Sequence, residues 1–268
     1  MTVLVLGHNG MLGNCVVKYF QLMNYSVITT DHRWPSGEFK SFISLFSGDA
    51  IVNCIAALPN NKNSEQDIIS INYDLPLWLA GNAKSNIVFA GTDGEFSGNL
   101  DPGKFYVYED ESDAGDTYGK YKALLFKKLN LNNNVRFIRT SIIGIEKNRS
   151  FSLLSWFLSI KPGSEVSGFK NVLWNGITSL EWAKMSFKLL NDWNCVTSSL
   201  KKNDNLIQVG SEKISKLELL EKMNAIFNRN LIIKSKEKQP ACNRCLFQYN
   251  KSESIVAQLT ELKLFYGL

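Results

Sequence analysis

Two side chains in the string DTYGKYK, residues 116–122, carry complementary chemistry. Tyr118 is a phenol and Lys122 an ammonium four positions later, so on a helix both project from one face. An ammonium held beside a phenol favours the phenolate, and draws a group that ordinarily titrates near roughly 10 toward physiological pH. Such a pair could pass a proton to or from a substrate oxygen. Tyr and Lys at this spacing also occur in many helices with no chemical task, so a second signal is needed. The N-terminus supplies it: the apolar run from Thr2 to Leu6 enters GHNGMLG, with glycine at Gly7, Gly10 and Gly13.

Glycines spaced this way between a strand and a helix allow a tight turn, close approach of backbone to a pyrophosphate, and close packing of helix on sheet. The helix start adds amide donors and a favourable dipole for phosphate. The first interval differs from the common GxGxxG fingerprint, and a plain strand-to-helix turn is the simpler reading. Asp31 ends the second strand, where a carboxylate can bond both ribose hydroxyls of an adenosine and favour NAD. Arg33 could instead hold a 2′-phosphate and favour NADP, while a solvated turn needs neither. Asn53 to Ala57 close the third strand with small residues, suited to a cofactor lying against backbone or to simple packing; Cys54 reads as packing. Thr92 follows the fourth strand, where its hydroxyl could orient a substrate carbonyl or cap its own turn. Tyr118 tilts this toward the first, since one carbonyl oxygen would sit between two hydroxyl donors.

These residues need a scaffold. Buried strands are expected at Thr2–Leu6, Tyr25–Thr30, Asp49–Ala56, Asn86–Ala90 and Val135–Ile138. Helices are expected at Met11–Met23, Phe39–Phe46, Asp67–Ala83 with an irregularity at Pro76, and Tyr118–Leu129. Strand and helix alternate, and the strands lack polar alternation, so the expected fold is α/β: a doubly wound parallel sheet covered on both faces. After about Gly144 the rhythm changes. Helices at Ser152–Leu158, Glu181–Leu190 and Lys216–Phe227, with a strand at Leu206–Val209, describe a smaller mixed lobe. The expected division is 1–144 for the dinucleotide-binding domain and 145–268 for a substrate lobe interleaved with the sheet.

The 268 residues carry a net charge of +5, with basic residues scattered in short clusters such as Lys127-Lys128 and Lys201-Lys202. A nucleic-acid binder would concentrate them in a stripe. No apolar run reaches bilayer length, and the N-terminus lacks the regions of a signal peptide. The chain reads as cytoplasmic, with no membrane or nucleic-acid partner. Five cysteines, Cys15, Cys54, Cys195, Cys242 and Cys245, are irregularly spaced and read as reduced thiols. The Cys242–Cys245 pair has neither a second pair nor a nearby histidine for zinc. No metal is called for.

The glycine set, Asn53 after an apolar strand, Thr92-Asp93 in TDGEFSG, Tyr118 with Lys122, and Arg139-Thr140-Ser141 occur in the order seen in extended short-chain dehydrogenase/reductases. The chain resembles the dTDP-4-dehydrorhamnose reductase branch from Met1 to about Leu246. The resemblance implies an NAD(P)H-dependent reductase of the C4 ketone of a nucleotide-linked 4-keto-6-deoxy sugar, serving surface polysaccharide synthesis. It gives Thr92, Tyr118 and Lys122 the catalytic roles. It gives Gly7, Asn9, Gly10, Met11, Leu12, Asp31, Arg33, Ala56 and Lys122 to the NADP or NAD cofactor, and Thr92, Asp93, Trp174 and Arg244 to the substrate. Asn72 in INYDLP takes a supporting place. Trp174 could stack on a sugar, and Lys170 or Arg244 could pair with a diphosphate; Trp156 and Trp182 read as helical core. Gly94 and Ile142 replace aromatics usual in the branch, so the sugar need not be the rhamnose precursor. SLLSWFL, GFKNVLWNGITSLEWAKM and NRCL resemble a sub-branch acting on UDP-linked 2-acetamido-4-keto-6-deoxy sugars. A homodimer stays open. So do an epimerase/reductase, disfavoured by the lack of a Cys-His pair, and a non-catalytic regulatory subunit or dinucleotide sensor.

Overall fold

The computed structural model describes residues 1–59, 63–147, 151–193 and 205–268; Cys195, Lys201-Lys202 and part of the polar stretch after Pro59 fall outside them. Strands β1 (Thr2–Leu6), β2 (Ser26–Ile28), β3 (Ala50–Asn53), β4 (Asn86–Ala90) and β5 (Val135–Arg139) are parallel neighbours. Their side chains from Val3 to Leu6 and from Ala50 to Val52 are fully buried, the result of a sheet covered on both faces. One face carries α1 (Met11–Leu22); the other carries α2 (Gly37–Leu45), α3 (Glu65–Ile69), α4 (Leu75–Asn82) and α5 (Thr117–Leu129).

Three elements are shorter or more broken than the residue pattern predicts. β2 covers only Ser26–Ile28 because it is an edge strand, with two of its three side chains exposed. β3 stops at Asn53 because the Asn53 side chain accepts from the Ile55 amide at 3.2 Å and turns the chain. The expected helix over 67–83 is split by a π-turn at Ser70–Asp74. Pro76 has no amide to give, and the Leu75 amide reaches back to the Ser70 carbonyl, so the ladder slips by one residue ahead of the proline.

Beyond β5 come β6 (Ile142–Ile143), α6 (Leu153–Ser159), β7 (Glu165–Phe169), β8 (Val172–Trp174), β9 (Ile177–Thr178) and α7 (Ser179–Asn191). They are followed by β10 (Leu206–Gly210), β11 (Ile214–Ser215), α8 (Lys216–Ile226), β12 (Ile232–Lys236), β13 (Cys242–Asn243), β14 (Asn250–Lys251) and α9 (Ile255–Tyr266). β10 and β14 extend the main sheet to seven strands in the order β14-β10-β5-β4-β3-β1-β2. The C-terminal half is thus part sheet and part lobe. The lobe has its own core, with Leu154, Phe157, Trp174, Leu219, Met223 and Leu259 buried together. Trp182 lies in the sheet core, as its helical spacing implies, but Trp156 is 39 % exposed on the outer side of α6. No described helix is long and apolar enough to cross a membrane.

Candidate active site

The glycine turn is built from backbone. Gly7 sits at φ +79°, a left-handed conformation that favours glycine. The Gly10 amide donates to the Gly7 carbonyl at 2.9 Å. A Cβ at Gly13 would lie 2.2 Å from that same carbonyl oxygen, so only glycine lets α1 start this close to β1. Gly10 caps α1 without a side-chain bond, and the first turn holds no acidic residue, which leaves amides and dipole for an anion. Beside it opens a pocket lined by Gly7, Asn9, Gly10, Asp31, Arg33 and Ile55. Asp31 is held over its mouth by Asn9 Nδ2 at 3.4 Å and His8 Nε2 at 3.5 Å. Leu12 turns its side chain into the core and Met11 packs toward Gly144, so both can serve a ligand through their amides. Ala56 is exposed one residue beyond Ile55. A cradle that a Cβ would fill, with free amides and a carboxylate beside it, fits a dinucleotide.

The second half of the site gathers where β4 and β5 end. Thr92 caps a short 3-10 turn, Asp93–Glu95, its hydroxyl accepting from the Gly94 amide at 3.0 Å. The Thr92 hydroxyl lies near the Tyr118 phenol and works against the rise in its titration. The turn-cap reading of Thr92 is what the structure shows, and the cap fixes the hydroxyl on the side of the phenol. Tyr118 opens α5 behind the Asp116 cap, whose side chain accepts from the Gly119 amide at 2.8 Å. A Cβ on Gly119 would fall 2.1 Å from the Gly94 carbonyl, so α5 presses directly on the turn that carries Thr92. Where the resembled branch has a tyrosine, Gly94 brings bare backbone close to the Tyr118 ring.

The electrostatics correct one expectation. Lys122 does not draw Tyr118 toward neutrality. Burial pushes the phenol up to about 12; the Thr92 hydroxyl opposes this, and the charges of Asp93, Glu95 and Asp116 add to it. The Lys122 ammonium instead donates to the Ala90 carbonyl at 2.9 Å and lies 5.9 Å from the Tyr118 ring centroid. Burial brings Lys122 down to about 8, against the attraction of Glu95. The phenol is therefore held firmly protonated, the form a proton donor needs.

Behind these groups stands a buried ion pair that the sequence pattern did not single out: Arg139 Nη2 on Glu95 at 2.8 Å, with Gln208 on the other guanidinium nitrogen at 3.2 Å. It ties the Thr92 turn to β5 and β10. Asn72, buried in the π-turn, bonds both the amide and the carbonyl of Ala57 and so secures the loop after β3. Asp93 is half-buried, and desolvation raises its carboxyl; Arg244, Lys216 and the nearby Ser141 pull the other way. Trp174 offers no open face for a sugar: it is 4 % exposed, its indole N–H is bonded to Ser141 Oγ at 2.9 Å, and Lys216 covers the ring at 4.8 Å. Arg244 lies beside Gly98, its Nε buried without a partner. Asn243 and Leu246 bridge to the loop at Asn99 and Tyr106, so the late segment forms a wall of the cleft. Lys170 pairs with Glu237 at 2.8 Å on the exposed surface. Lys216 was the second functional candidate without a local signal: it looks like any first residue of an amphipathic helix.

Residues 3–127 match the model of the NAD dependent epimerase/dehydratase family. No curated protein sequence matches the chain. Among solved structures, a dTDP-4-dehydrorhamnose reductase from Clostridium acetobutylicum superposes with a TM-score of 0.81 at 19% identity, covering 100% of both chains. The dTDP-4-dehydrorhamnose reductase of Bacillus anthracis, solved with NADP, gives 0.79 at 16% identity over 98% of each chain. The dTDP-glucose 4,6-dehydratase of the same organism, solved with NAD, gives 0.71 at 15% identity, over 100% of this chain and 96% of that one. Residues 3–127 thus resemble the NAD dependent epimerase/dehydratase family, and the chain as a whole has the fold of the solved dTDP-4-dehydrorhamnose reductases.

Proposed function

We propose that this chain is a cytoplasmic, NAD(P)H-dependent oxidoreductase that reduces the C4 ketone of a nucleotide-linked 4-keto-6-deoxy sugar, on a path to surface polysaccharide. The observation that carries the reading is the buried Tyr118–Thr92 hydroxyl pair, with Lys122 one turn along, at the strand ends beside the glycine cradle. NADPH or NADH supplies a hydride when bound. The amides after Gly10 would take its pyrophosphate, and Asp31 or Arg33 its adenosine ribose. Tyr118 and Thr92 both donate to the ketone oxygen, and Tyr118 gives up its proton as charge develops there. General acid catalysis of this kind contributes about 10²–10⁴-fold. The phenolate left behind faces Asp93 and Glu95, with the Thr92 hydroxyl acting in its favour. Lys122 is also placed to bond ribose hydroxyls near the reacting ring.

The test is cofactor oxidation with UDP- and dTDP-linked 4-keto-6-deoxyhexoses, followed by a reaction with cofactor deuterated on its transferable hydrogen. Turnover with one of them, and deuterium at C4 of the product, is expected. Binding of cofactor and sugar without turnover would favour the regulatory alternative.

A further inference from the structure

Lys216 opens α8 over Trp174, within electrostatic reach of Asp93. β11 pairs antiparallel with β8, Ile214 opposite Trp174 and Ser215 opposite Leu173, and this register sets the first residue of α8 over the indole. The ammonium lies 4.8 Å from the Trp174 ring centroid and has no hydrogen-bond or ion-pair acceptor among the described residues. The contacts run on from there. The Trp174 N–H donates to Ser141 Oγ at 2.9 Å, Ser141 lies near the Asp93 carboxyl, and Asp93 adjoins Thr92. Burial brings Lys216 down to about 8, and Asp93 is the first charge opposing that. Lys216 is half-buried, with its ammonium on the indole and no acceptor among the described residues, so it is open to an acceptor brought by whatever fills the cleft.

The ring position follows from connectivity. On a pyranose the diphosphate hangs from C1, across the ring from C4. A group beside the residues that hold the C4 oxygen meets substituents on C3 and C5 first. In a 6-deoxy sugar C5 carries a methyl group with no donor or acceptor, whereas C3 carries a hydroxyl. We propose that Lys216 is a specificity-determining residue that reads this C3 hydroxyl together with Asp93. Lys216 donates to the oxygen and Asp93 accepts its proton, a complementary pair that a deoxy position or a different ring substituent would leave unmatched. The proposal rests on the reductase reading of the site.

The experiment compares Lys216→Met, which keeps the stem on Trp174, with Lys216→Arg. Calorimetry on the dinucleotide-bound enzyme measures Kd for UDP- and dTDP-6-deoxyhexoses, their 3-deoxy analogues, and UDP and dTDP alone. Lys216→Met should weaken the 3-hydroxy nucleotide sugar by about tenfold or more and leave the 3-deoxy analogue and the nucleoside diphosphate unchanged. Lys216→Arg should keep part of the discrimination, and dinucleotide affinity should match wild type in both. An equal loss for the nucleoside diphosphate would make Lys216 a phosphate ligand and overturn the proposal, as would no loss at all. If wild type bound neither nucleotide sugar, the reductase reading itself would fall.

Discussion

The two halves of the cleft recognise ligands by different means. The glycine turn works through backbone: Gly7, Gly10 and Gly13 shape a cradle of amides, and its one placed carboxylate, Asp31, has a side chain 89% exposed. The opposite wall works through buried side chains whose titration is moved by burial: Tyr118 up, Lys122 and Lys216 down, Asp93 and Glu95 up. A backbone site tolerates changes in its side chains but no added Cβ. A side-chain wall depends on every buried charge keeping its partner. On the proposed function, the difference also sets what each half can vary, since one would hold a common cofactor and the other would distinguish sugars.

The largest expected effect falls on the wall. Arg139→Met leaves Glu95 buried and uncompensated, which costs about 3–5 kcal/mol in a denaturant titration. Unchanged stability would mean that the pair does not hold the Thr92 turn. Next comes the cradle. Gly13→Ala places a methyl against the Gly7 carbonyl and should weaken dinucleotide binding about 10–100-fold while the wall keeps its stability. Loss of global stability instead would show that the turn is structural before it is functional.

The smallest effect is in pH. If charged Lys122 serves the reaction, turnover falls by about half near pH 8 and about tenfold one unit above, as the ammonium deprotonates. The same limb should persist in Lys216→Met, which separates the two lysines that titrate there. The stability signs differ. Lys122 is lowered in the fold, so the unfolded chain binds more protons from about 8 up to the ordinary lysine range, and stability rises with pH across that window. Tyr118 is raised, so stability is lost between its ordinary value and about 12.

What could be read from residue order follows the same division. The glycine spacing, the Tyr118–Lys122 interval and the hydroxyl at Thr92 are local patterns, and β4 and α5 fall within a residue of their expected bounds. Arg139, Gln208 and Lys216 reach the site through packing of distant segments, and no periodicity marks their contacts. The direction of the Tyr118 shift was misread for the same reason: spacing reveals Lys122, but burial and the carboxylates of Asp93 and Glu95 arise only in the fold. Trp174 looked like a sugar platform until β11 laid Lys216 over it. The π-turn before Pro76 shows a breaker acting upstream of its own position.

The account centres on Tyr118 as the donor of the proton to the ketone oxygen. Tyr118→Phe removes one hydroxyl and leaves the ring packed against Gly94, so steady-state turnover and dinucleotide Kd can be measured on the same intact protein. The expected result is a fall in kcat of about 10²–10⁴-fold with the Kd within about twofold of wild type. A kcat near wild type would contradict the account, whatever the cofactor affinity.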